Sequence, residues 1–126
     1  MSQRYDPLEA PHPEEWLALD EQARIDLARD YHRRARIRVP NVKVHATVHA
    51  IVETQIALGD ETPARRTARR LIDEGLDRHE AIHAIGWVLI EFVQDLMDTP
   101  ELGGEPKASY FAALEGLTVE DWRRSR

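Results

Sequence analysis

The sequence predicts an all-α protein, a single-domain helical bundle of about five helices. Three observations carry this reading. Apolar residues recur at three- and four-residue spacings through the longer segments. The breaks between those segments hold helix start and stop residues, notably Asp20, Thr62-Pro63 and Gly75-Leu76-Asp77. Strand-type alternation never lasts, and no internal repeat of fold-defining period occurs.

Residues 1–12 contain Pro7 and Pro11 without periodicity and read as an extended N-terminal arm, leaving 13–126 as one helical domain. A first helical region runs from Pro13 to Arg36, with Asp20 placed to interrupt it and cap a second segment. Its stripe is Ala23, Leu27, Ala28, Tyr31 and Ala35. The basic cluster at 33–38 suits a helix C-terminus, where the dipole favours cations, and Pro40-Asn41 marks a break. A second helix runs from Val42 to Leu58 and stops at Gly59-Asp60. Thr62 can cap a third helix with Pro63 at its first position. Gly75 suits the left-handed stop of that helix, and Leu76 the hydrophobic contact beside it. Asp77 then caps a long fourth helix reaching Met97, with Glu80 three residues on as in a capping box. A loop over 99–106 precedes a fifth helix that buries Tyr110, Phe111 and Leu114, and a last turn at 118–122 packs Trp122 on the body.

Composition narrows the function classes. Apolar residues make up 42% and charged residues 32%, as in an ordinary globular protein. A net charge of −6 argues against broad attraction to nucleic acid or anionic lipid. The absence of cysteine excludes disulfides, iron–sulfur clusters and thiolate zinc sites, so any metal is held by nitrogen and oxygen. The opening residues lack a signal-peptide stretch and the longest apolar run is too short to span a bilayer, which makes cytoplasmic residence the expectation.

Chemistry is concentrated in two pairs of histidines. His45 and His49 lie four apart on the second helix with Glu53 four further on, and His79 and His83 lie four apart on the fourth. That spacing is about one helical turn, so each pair projects from one side of its helix. On the second helix Lys43, Thr47 and Thr54 mark the solvent side, which turns His45 and His49 into the core and leaves Glu53 at its margin. On the fourth helix His79 and His83 flank the stripe of Ile82, Ile85 and Leu89, aligned with Gly86, whose missing side chain admits a neighbouring helix. If the third helix simply reverses direction, the second and fourth run parallel and the two pairs lie level.

These residues predict a site for a divalent transition metal, zinc first, with iron, nickel or manganese as alternatives. His45, His49, Glu53, His79 and His83 are the candidate ligands, with Gln55 and Glu80 supporting them by hydrogen bonds. About 12 Å of axis separates His45 from Glu53, too much for one ion to use all three ligands of that helix. An open coordination position would permit metal-assisted hydrolysis with Glu80 or Glu53 as base. The residues assign no reaction or small-molecule substrate. The alternative is a metal-free homodimeric interaction module whose histidines close a buried polar network. Trp16, Trp87 or Trp122 would then mark the contact, and projection puts Trp87 on the polar side of its helix.

Three narrower motifs are weak. His79-Glu80-Ala81-Ile82-His83 matches the zinc-peptidase pattern H-E-x-x-H, yet Glu80 already serves as a helix cap and Leu89 stands where a third histidine would be needed. Glu80-x-x-His83 matches the di-iron element, but a second copy on a helix is absent from the chain, though a homodimer would provide one. Helices three and four resemble a helix-turn-helix, but the second is mostly core-forming and Glu80 would face phosphate.

The spacing H-x3-H-x3-E-x-Q at His45, His49, Glu53 and Gln55, followed by H-x3-H-x7-E at His79, His83 and Glu91, resembles a family of small bacterial helical proteins catalogued only as a domain of unknown function. The likeness covers about residues 40–117, including the aromatic-rich helix around Tyr110. Because that family has no assigned activity, the resemblance implies only that these polar positions share one site. Glu91 fits the pattern but lies about 12 Å along its helix from His83, which suits a second site or a surface contact better.

Overall fold

The computed structural model describes residues 4–35, 41–98 and 106–125. Among these, the chain forms seven helices and no strand: α1 (Pro13–Ala18), α2 (Glu21–Arg34), α3 (Val42–Ala57), α4 (Ala64–Asp73), α5 (Arg78–Asp98), α6 (Pro106–Gly116) and α7 (Val119–Ser125). The all-α expectation holds, with seven helices in place of about five. The extra two arise where the first helical region divides and where the last turn grows into α7. Asp20 makes the division, its side chain accepting from the Ala23 backbone N–H at 2.7 Å to start α2. The Gly103-Gly104 loop and part of the basic cluster lie outside the described residues.

The other boundaries follow their local chemistry. Asn41 caps α3 by accepting from Val44 N–H, and Thr62 accepts from Ala64 N–H at the start of α4. Gly59, at φ +67°, turns the chain after α3. Gly75 ends α4 at φ +122°, and Leu76 N–H reaches back to the Leu71 carbonyl at 3.1 Å while the Leu76 side chain is buried. Asp77 opens α5 by accepting from Glu80 N–H at 2.7 Å.

Two cores share α3. Leu71, Ile82, Ile85 and Leu114 are fully buried in the larger, which joins α3 through α7. Burying each such side chain is worth roughly 1.5–3 kcal/mol. Tyr5, Trp16, Ala28, Ala46 and Ala50 form the smaller, where the N-terminal segment and α2 meet the opposite side of α3. Residues 4–12 are non-helical yet anchored: Arg34 donates to the Tyr5 carbonyl and Arg78 to the Pro7 carbonyl. No helix among the described residues is long and apolar enough to cross a membrane.

The expected parallel course of α3 and α5 is overturned. Glu53 meets Arg78, His49 meets His79, His45 meets His83, and Val48 approaches Gly86, so one helix ascends as the other descends. The reason is the length and placement of α4. Its ten residues, about 15 Å, touch both α3 and α5, so it bridges them at one end and does not return along the full length of α3.

Trp87 packs against a second helix. Its ring packs 6.0 Å from that of Trp122, so α7 covers what a projection of α5 alone leaves on the polar side.

Candidate metal centre

Where α2, α3 and α5 meet, five imidazoles pack together, mostly edge to face. His49 occupies the middle, with ring centroids of His32, His45, His79 and His83 between 5.0 and 5.2 Å from its own. One nitrogen from each of His32, His45, His49 and His83 lies within 4.8 Å of the other three, a group that could hold a metal ion. A tetrahedral ion with bonds of about 2.0 Å sets its ligand atoms about 3.3 Å apart, so a modest closure of the set would reach bonding geometry.

Hydrogen bonds aim two of these rings. His32 Nδ1 stands 2.7 Å from the Ala28 carbonyl, one turn back on α2. A carbonyl only accepts, so Nδ1 carries the proton and the Nε2 lone pair is free. The His49 ring is set by a longer relay. Arg78 donates to both oxygens of Glu53, at 2.7 and 2.8 Å, and the Tyr5 hydroxyl donates to Glu53 Oε2 at 2.5 Å. With its proton so committed, the Tyr5 oxygen accepts from His49 Nδ1 at 3.2 Å, and His49 Nε2 is left unprotonated. That atom faces His83 Nε2 at 3.0 Å, where His83 donates.

The cluster is electrically spare. Burial, followed by repulsion from neighbouring imidazoles, lowers His45 to about 4 and His83 to about 3. His49 and His79 are also lowered, with burial again the leading cause. Neutral imidazole is the form that binds metal. Nε2 of His32, His45 and His79 is buried without a hydrogen-bond partner. Each such atom costs about 1–3 kcal/mol, and two of the three belong to His32 and His45, members of the four-nitrogen group.

Of the residues expected from sequence, the structure thus brings His45, His49 and His83 together. His79 stands beside them, 4.3 Å from His83 between centroids, outside the converging group. Glu53 is corrected most. It is 1% exposed, deep and not marginal, and its carboxylate is committed to Arg78 and Tyr5. Gln55 and Glu80 are drawn to other helices. Gln55 Oε1 accepts from the Tyr110 hydroxyl and Glu80 Oε2 from Trp122 Nε1, each at 2.7 Å. Neither Glu53 nor Glu80 is therefore held as the base of a hydrolytic site.

Sequence reasoning missed His32, Tyr5 and Arg78. His32 was findable, because it lies four residues after Ala28 and beside Tyr31 on the apolar stripe of α2. Arg78 had a fainter signal, a cation in the first turn of a helix, where the dipole disfavours it. Tyr5 had none, since its partner lies 48 residues away.

Fold and site together define the class: an all-α helical protein with a histidine-rich group that could hold a metal ion. No family model, curated protein or solved structure matches the chain.

Proposed function

We propose that the chain binds one divalent transition metal through His32, His45, His49 and His83. The observation that carries this reading is the convergence of four imidazole nitrogens within 4.8 Å, with the Nε2 atoms of His32 and His45 buried and unpartnered. A set of four imidazole nitrogens suits zinc best; nickel and iron follow, and manganese, which prefers oxygen, comes last.

The second reading is a metal-free module, homodimeric through exposed apolar residues of α5 such as Val93 and Met97, in which the histidines form a polar network. The His83–His49 hydrogen bond favours it. The unpartnered nitrogens disfavour it, because a network evolved for its own sake would pair them.

Elemental analysis of untagged protein after dialysis separates the two. We expect one equivalent of metal in the native chain, lost in His32→Ala and His83→Ala variants that keep their helical circular dichroism. Protein that holds no metal, and gains no thermal stability from added zinc, iron, nickel or manganese, would refute the proposal.

A further inference from the structure

We propose that the metal centre is open on its α3–α5 side and takes a small organic anion with an apolar body there, a monocarboxylate of about the size of benzoate. The inference rests on the metal reading above.

A cavity of about 340 Å³ lies against the cluster. His45, His49 and His83 form part of its lining, whereas His32 does not, so the proposed ion would be approached from the side opposite α2. Val48, Ile82, Ile90, Trp87 and Trp122 supply apolar walls. The aromatic wall is held in place, since Trp122 donates to Glu80 at 2.7 Å and packs on Trp87. Val44 is 50% exposed and Ile90 39%, which puts the mouth at their end. The volume is near the lower end of ligand pockets, roughly 300–1,000 Å³, and admits a single ring in preference to a nucleotide.

Charge selects the occupant. Four neutral imidazoles leave the whole 2+ of the ion uncompensated. None of the described residues lining the cavity is Asp, Glu, Lys or Arg. Glu53, joined to His49 through the Tyr5 hydroxyl, is already neutralised by Arg78. A dication in such surroundings is costly unless an anion joins it, and the cavity is where one can enter. A carboxylate joining the ion as a fifth ligand, with its hydrocarbon body against the tryptophans, answers both features.

Cobalt(II)-loaded protein tests this, because its visible bands report the metal's ligands while tryptophan fluorescence reports the cavity wall. Cobalt content is measured first, and benzoate, acetate and benzamide are then titrated. Benzoate should shift the bands and change the fluorescence, binding at least ten-fold more tightly than acetate or benzamide. Val44→Trp, at an exposed position on the mouth, should keep its cobalt and lose at least ten-fold in benzoate affinity. Loaded protein that ignores benzoate, binds acetate or benzamide equally well, or is unaffected by Val44→Trp overturns the anion pocket and leaves the metal site standing. Protein that takes up no cobalt overturns the metal reading, and the pocket ligand with it.

Discussion

His49 is touched by more of the site than any other side chain, and its chemistry is decided by a residue 44 positions away. The Tyr5 oxygen accepts from Nδ1 only because its own proton goes to Glu53, which Arg78 holds in place. Tyr5 is therefore a positioning residue: it keeps the His49 Nε2 lone pair directed at the proposed ion. Loss of such an outer hydrogen bond typically weakens metal binding by about 10–100-fold. Tyr5→Phe, which keeps the ring in its pocket, should show a loss of that size in a chelator competition, with helicity unchanged. Equal affinity would mean that the relay does not set the ring. The histidine pairs were legible because helical spacing is a local property. The relay was not, since it joins an arm without periodicity to the first turn of α5.

At the scale of elements, the approach of α3 to α5 depends on Gly86. A Cβ placed there would lie 2.8 Å from Val48 Cγ1. Valine is stiff at χ1, so the methyl cannot swing aside cheaply. Helix propensity alone favours Ala over Gly by roughly 1 kcal/mol. Overpacking costs about 1–3 kcal/mol, which offsets or exceeds that gain. We expect Gly86→Ala to lower stability in urea unfolding, and a second change, Val48→Ala, to cost less in that background than alone. A stabilised Gly86→Ala protein would show that the helices stand further apart than described. Element identities were legible for a related reason: Asp20, Thr62, Gly75 and Asp77 act within a turn of their own positions. Helix direction was not, because the placement of α4 across α3 and α5 is settled by packing.

For the whole molecule, His45, His49, His79 and His83 link folding to pH. Their folded values lie below the ordinary value near 6.5, about 4 for His45 and about 3 for His83, with His49 and His79 also lowered. As pH falls below about 6.5, the unfolded chain takes up protons that the folded chain refuses, so stability declines. The decline should be felt through the window from about 6.5 toward 4 and 3, with no contribution from these four residues to the slope above it. Denaturation of metal-free protein across that range checks the sign; stability that rises on acidification would contradict it. Metal binding should weaken in the same direction, because protons and the ion compete for the same lone pairs. Two features set this behaviour together. The larger core buries α5, and the smaller one brings α2 and its unforeseen His32 against α3.

The central claim, that four imidazoles from three helices hold one ion, is tested most directly by X-ray absorption of the zinc-loaded protein. The account predicts four nitrogen scatterers at about 2.0–2.1 Å with the outer-shell signature of four imidazole rings. A shell dominated by oxygen, or one with fewer than four imidazole rings, would contradict it.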